Sequence, residues 1–289
     1  MKKVILCTAA MLFATMGFSQ NESLIDQGKT NTADVHQTST IDLYNFSDVY
    51  QRGENEADID QIGENRSIVE QNGDNFAKVY QDGFSNTEFQ QSEVYQQGKN
   101  NVANVEQIGD GNESYIDQDN HGDAHTPGAK IGNMALVTQY DYNNDSEIDQ
   151  DNDANYAETN QWGNWNDSFT EQVSEGPADG QYLQESYVNQ YGEANLSDVY
   201  QEGRNNLSTV WQESDTWMPD YSYTNEAFVG QFGELNTSFI TQDDCELVKA
   251  DNYSDVSQTN KIGSLGGNLS TVMQKGANSA NVTQINGIN

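Results

Sequence analysis

Positive charge, proline, cysteine and histidine are all scarce in this chain: its 289 residues include 12 Lys and Arg, 3 Pro, 2 Cys and 3 His. Against those cations stand 46 Asp and Glu, a formal net charge of −34. So acidic a surface repels nucleic acid. Hydrophobic residues make up 34% of the chain, below the roughly 45–50% of ordinary globular domains, which excludes a thick aliphatic core. After the first residues, no stretch approaches the ~20 apolar residues of a membrane-spanning helix. Low hydrophobicity with high charge is also the signature of disorder, yet the spacing of the residues argues for order.

Lys2 and Lys3 precede an apolar run, Val4 to Phe18, that ends in small residues around Gly17 and Ser19. Residues 1–19 therefore read as a secretory signal peptide, cleaved near Ser19/Gln20, with residues 20–289 as a single repeat domain. Losing the leader removes two lysines and no acids, so the mature charge is 10 − 46 = −36. Cys7 lies inside the apolar run, so no lipid anchor is expected. Cys245 is then alone and has no internal disulfide partner; an incidental loop thiol and an intermolecular bridge both stay open.

What the chain has in abundance is a repeated unit. Residues 55–83 read Asn55-x-Ala57-x-Ile59-x-Gln61-x-Gly63, Asn65-x-Ser67-x-Val69-x-Gln71-x-Gly73 and Asn75-x-Ala77-x-Val79-x-Gln81-x-Gly83. A spacing of two puts every specified residue on one face of a β-strand, with glycine at the turn. Anchoring each unit on its glutamine yields 21 units from Gln27 to Gln284, with five intervals of 10 residues, eight of 11 and seven longer. The eleventh residue falls after the glycine, in the turn. Asp141, Asn152 and Asp244 replace that glycine in some units, and both residue types tolerate turn backbone angles. The long intervals read as loops on both edges; they carry His121, His125 and Pro127, then Pro177, then Trp217 and Pro219, then Cys245, and the glycine-rich stretch 262–267.

One such unit supplies a strand of about seven residues and cannot bury its inward face alone; stacking on neighbours buries it. The expected fold is all-β, a β-solenoid of strand–turn–strand windings with two units of 10–11 residues each. Twenty-one units make about ten windings, roughly 50 Å at ~4.8 Å each. The pattern never sustains a 3.6-residue period, so helix is excluded. A sandwich or barrel would show less identical units and fuller hydrophobic faces. The inward set is Asn55, Ala57, Ile59, Gln61, Gly63, Asn65, Ser67, Val69, Gln71, Gly73, Asn75, Ala77, Val79 and Gln81. It continues through Gln107, Asn112, Gln118, Gln150, Asn155, Gln161, Gln190, Asn195, Gln201, Asn206, Gln212, Gln231, Asn236, Gln242, Gln274 and Gln284. Stacked Asn and Gln form amide ladders along the axis, as in cross-β structures.

Catalytic signals are weak. No nucleophile motif, cofactor motif or mixed acid–base pocket breaks the repeat. His121 and His125 with Asp119 and Asp123 could hold a metal, although two histidines in an acidic loop are more often solvated. Asp149-x-Asp151-x-Asp153 opens like a calcium loop, but the glycine and terminal glutamate do not follow. The residue before the anchoring glutamine faces outward and is often aromatic (Tyr50, Tyr80, Tyr95, Tyr200, Trp211), which reads as β-propensity or as a stacking surface. Outward carboxylates stacked ~5 Å apart repel one another and oppose uncontrolled aggregation, leaving acid or divalent cations on the acidic face to promote assembly.

Units such as Ser197-x-x-x-Gln201-x-Gly203-x-x-Asn206-x-Ser208-x-x-x-Gln212 resemble the curlin repeat, and the resemblance extends from about Ser23 to Gln284. It implies a subunit of extracellular, curli-like amyloid fibres of a Gram-negative biofilm, with a two-strand solenoid and inward Gln and Asn ladders. It further implies export through the periplasm and a curli-type outer-membrane pore, nucleated growth at the cell surface, and self-association by end-to-end β-stacking, with a nucleator subunit as a further partner. The chain has more units than familiar curlins, several 10-residue intervals and longer loops. Main subunit, nucleator and cap all stay open. A monomeric β-solenoid adhesin, binding a glycan or a surface, is the other reading.

Overall fold

The computed structural model describes residues 20–28, 30–39, 43–83, 88–120, 132–174, 184–214, 225–243, 252–261 and 266–286. The leader at 1–19, the loops bearing His121, His125, Pro177, Trp217 and Pro219, and the turn with Asp244 and Cys245 lie outside the described residues.

No helix occurs among the described residues. The strands run β1 (Gln20–Gln27), β2 (Thr32–Thr38), β3 (Tyr44–Gly53), β4 (Glu56–Ile62), β5 (Asn65–Gly83) and β6 (Gln90–Asp110). They continue with β7 (Glu113–Asp119), β8 (Met134–Tyr142), β9 (Asp145–Asp151), β10 (Asn155–Asn164), β11 (Asp167–Ser174), β12 (Gln184–Glu193) and β13 (Asn195–Arg204). The last are β14 (Asn206–Glu213), β15 (Asn225–Glu234), β16 (Thr237–Asp243), β17 (Asn252–Asn260), β18 (Leu269–Lys275) and β19 (Asn278–Asn286). Every pairing is parallel, and each strand pairs with the next but one except between β4 and β7, where consecutive strands pair, so the chain winds as a parallel β-solenoid with two facing sheets. β5 and β6 each bend through a turn and serve both sheets. The first sheet holds β1, β3, the first halves of β5 and β6, and then the odd strands; the second holds the even strands and the other two halves.

Alternation decides what goes inside. Along β10 the burial alternates residue by residue, with Asn155, Ala157, Thr159 and Gln161 buried and the residues between them half-exposed. Register is kept across the long insertions: Gln107 pairs with Gln139 and Gln161 with Gln190. A one-residue slip would bring the outward acids inside, so the pattern itself holds the register. Val and Ile from the two sheets meet at the centre, but Thr159 and Thr170 interrupt both columns at successive strands. They divide the apolar core into a cluster from Val49 to Ala157 and another from Val188 to Val272.

Corners are closed by left-handed residues. Gly63 (φ 94°) and Gly73 (φ 133°) of the inward set stand at corners, Gly63 buried and Gly73 half-buried. A Cβ on Gly63 would overlap the carbonyl oxygen of Gly83 in the next winding, so glycine is needed for stacking as well as for the turn. Asp141 (φ 75°) and Asn152 (φ 69°) take the same conformation, as their residue types suggest. The eleventh residue has a requirement that the spacing did not disclose. It is also left-handed, at Asn100, Asn143, Ala154, Trp165, Ala194, Asn205 and Leu235.

Candidate functional site: amide ladders and open ends

Each glutamine anchor sits two residues beyond a central Val, Ile or Thr, so its amide is carried across a thin core. There it does two things. Its Nε2 donates to Oε1 of the glutamine one winding later, as from Gln61 to Gln81 (2.8 Å), Gln150 to Gln172 (2.8 Å) and Gln201 to Gln231 (2.7 Å). It also donates to a carbonyl of the opposite sheet, as from Gln61 to Phe46 O (3.1 Å), Gln118 to Val102 O (3.1 Å) and Gln212 to Leu196 O (2.8 Å). The glutamine therefore ties windings together along the axis and sheets together across it.

Both ladders are unbroken. The first sheet runs from Gln27 through Gln51, Gln71, Gln96, Gln118, Gln150, Gln172, Gln201, Gln231 and Gln258 to Gln284. The second runs from Gln37 through Gln61, Gln81, Gln107, Gln139, Gln161, Gln190, Gln212 and Gln242 to Gln274. Every donor points toward the C-terminal end. Buried amides so satisfied retain hydrogen bonds where burial would otherwise cost free energy.

Asparagine forms a second pair of ladders with the opposite sense. Asn65 donates to Asn45 (3.0 Å), Asn166 to Asn144 (3.0 Å), Asn195 to Asn166 (2.9 Å) and Asn236 to Asn206 (3.0 Å), always toward the N-terminal end. Asn55, Asn75, Asn112, Asn155, Asn206 and Asn236 are buried in these ladders. The ladder also contains Asn101, Asn133, Asn144, Asn166 and Asn225, which the inward set left out. Counting back six residues from each anchoring glutamine finds all of them. Gln90 and Gln184 take this position in two units, and there the ladder fails. The buried amide of Gln90 has no hydrogen-bond partner at either atom, and Asn65 Oδ1 below it has none. Asn155 Oδ1 below Gln184 is likewise without a partner.

The two outer faces differ, which the outward positions did not show when read as one mixed set. Over β7, β9 and β11 the first sheet stacks Glu113, Asp145 and Asp167 in one column and Asp117, Asp149 and Glu171 in another. A groove of about 380 Å³ lies over this patch, lined in part by Glu93, Glu113, Tyr115, Asp117, Asp145 and Asp149. Burial, and then the neighbouring carboxylates, push Asp145 and Asp149 up to about 6. No group of three or more His, Cys, Asp or Glu side chains among the described residues converges as a metal site. The second sheet instead carries a file of rings, Tyr140, Trp162, Tyr191 and Trp211, with centroids 6.1, 4.7 and 4.8 Å apart.

At the ends the stack is open. Among the described residues β1 pairs only with β3 and β2 only with β4, while β18 pairs only with β16 and β19 only with β17. Ile25 is 47% exposed there, whereas its column partner Val49 is 0% exposed. Gln284, the last rung, is half-buried although the preceding Gln258 is fully buried.

A family model places this repeat: residues 93–119, which hold the anchors Gln96, Gln107 and Gln118, match the curlin associated repeat. This segment is similar to the curlin repeat. It shares the anchoring glutamine and its ladder bonds with the windings on either side. No curated protein matches the chain.

Proposed function

We propose that the chain is a secreted structural subunit of curli-like extracellular fibres, growing by end-to-end β-stacking of solenoids. The open ends carry this reading. Unpaired strand edges are templates for pairing with another chain, and here they are backed by half-exposed apolar and amide rungs. The ends are also complementary. The N-terminal end presents glutamine Oε1 acceptors from Gln27 and Gln37, and the C-terminal end presents glutamine Nε2 from Gln274 and Gln284. Head-to-tail stacking would extend both ladders in their existing sense and bury the Ile25 and Val282 columns. The curlin repeat is a structural, non-enzymatic family, which supports a structural role. Export through the periplasm and a curli-type pore, a nucleator partner, and a place on the cell surface in biofilm and adhesion belong to the same proposal.

The test uses the chain without residues 1–19, diluted from denaturant, with thioflavin fluorescence followed with and without preformed seeds and the product viewed by electron microscopy. Seedable, detergent-resistant fibres support the proposal. A soluble particle, stable and unseedable for days, overturns it and favours the monomeric adhesin, for which the ring file on the second sheet is the candidate contact surface.

A further inference from the structure

Two places on the solenoid repeat one constellation of four side chains. On the first sheet Glu93 pairs in register with Tyr115, and Tyr95 with Asp117. On the second, Tyr156 pairs with Glu185, and Glu158 with Tyr187. Each is a two-by-two box with tyrosines on one diagonal and carboxylates on the other. The rings lie in contact across the diagonal, with centroids 5.6 Å apart and tilted by 41° in the first box, and 5.3 Å and 40° in the second. In both boxes every phenol donates its hydrogen to the carboxylate two residues away in its own strand. Tyr95 donates to Glu93 (3.2 Å), Tyr115 to Asp117 (3.5 Å), Tyr156 to Glu158 (2.7 Å) and Tyr187 to Glu185 (3.3 Å).

We infer that these boxes are sites of oxidative tyrosine cross-linking, in which a one-electron oxidant such as a peroxidase with hydrogen peroxide joins Tyr95 to Tyr115 and Tyr156 to Tyr187. The chemistry needs two things, and the box supplies both. Phenol oxidation releases a proton with the electron, and a hydrogen-bonded carboxylate is placed to accept it. Burial and adjacent carboxylates push Tyr115 up to about 12, so that phenol holds its proton at neutral pH and loses it only as the electron leaves. Radical coupling then needs a second ring already in contact, because each radical must meet its partner before other reactions consume it. Each phenol gives one electron to the oxidant and one proton to its carboxylate. The two neutral radicals form one carbon–carbon bond ortho to the oxygens. The hydrogen on each joined carbon shifts to its own oxygen and restores the ring. Hydrogen peroxide takes the two electrons and two protons and leaves as two waters. The product covalently joins neighbouring windings within one molecule, so the inference does not depend on polymerisation.

The experiment treats the folded full chain with a haem peroxidase and hydrogen peroxide, then maps cross-linked peptides by mass spectrometry alongside dityrosine fluorescence. The expected products are Tyr95–Tyr115 and Tyr156–Tyr187 within one molecule, each lighter by two hydrogens than its parent peptides. Tyr187→Phe removes the second product and leaves the first. Glu158→Gln keeps the rings together but removes a proton acceptor, and slows coupling at the second box several-fold relative to the first in the same molecule. Coupling spread evenly over other tyrosines, bonds formed only between molecules, or equal rates in the Glu158→Gln variant would overturn the inference.

Discussion

If the polar ladder rather than the thin apolar column holds the windings together, removing one rung should cost more than removing core methyls beside it. Gln139 is the rung to test. It receives a hydrogen bond from Gln107 (2.8 Å) and donates to Gln161 (2.8 Å), Glu113 O (2.8 Å) and Asn144 O (3.0 Å). Nε2 has two hydrogens for its three acceptors, so one is shared; Gln139→Leu removes about three net bonds and leaves Gln161 Oε1 without its donor in a dry core. At about 1 kcal/mol per net bond, plus ~1–3 kcal/mol for a stranded buried group, the loss is roughly 5 kcal/mol. The added apolar burial offsets ~1–2 kcal/mol, leaving about 4 kcal/mol. Val137→Ala, two residues away in β8 and equally buried, removes two methyl groups at ~0.8 kcal/mol each plus a small cavity, about 2 kcal/mol. Guanidinium unfolding followed by far-UV circular dichroism compares the two variants directly. A Gln139→Leu variant no less stable than Val137→Ala would refute the ladder as the main source of cohesion.

Three further perturbations follow from particular residues. Asp145 and Asp149 are raised to about 6 from 3.8, so their neutral forms favour the fold. That stability is fully present below about pH 4 and is lost as pH rises through 6. Both side chains keep contact with water, and with screening each contributes no more than about 1 kcal/mol. Denaturant midpoints should therefore rise from pH 7.5 to pH 4.5, and Asp145→Asn with Asp149→Asn should flatten the change; a midpoint that falls on acidification contradicts this. Leu235 stands left-handed at φ 60° with its side chain 42% exposed. Leu235→Gly should raise the melting midpoint by relieving about 1 kcal/mol of backbone strain, whereas the same change at Leu207, in strand β14, should lower it. Gln90→Asn should restore the broken asparagine ladder and give Asn65 Oδ1 its donor, stabilising by ~1–2 kcal/mol; an unchanged midpoint would show that the gap costs nothing.

Much of this molecule could be read along the chain because a repeat states its own constraints many times over. The period of two in Asn55-x-Ala57-x-Ile59-x-Gln61 determined strand, inward face and parallel stacking, since only one register keeps charged Glu56, Asp58 and Asp60 outside. The 21 glutamine anchors fell on the rungs because each must meet its equivalent one winding later. Turn chemistry was legible where the residue type carries it, at Gly63, Asp141 and Asn152. It was not legible at Trp165 and Leu235, whose side chains give no sign of a left-handed backbone; the geometry of an eleven-residue corner imposes it. The opposed directions of the Gln and Asn ladders, the gap at Gln90 and the split core at Thr159 and Thr170 depend on which atoms meet across windings, and neighbours in the stack lie 20 or more residues apart in the chain. The same holds for the acidic columns over β7, β9 and β11 on the first sheet and the four-ring file on the second. The sequence alone determined the unit and its direction of stacking, because local alternation is written in every repeat. Tertiary structure decided which units share a sheet, and hence where the acidic face, the aromatic file and the two tyrosine boxes lie.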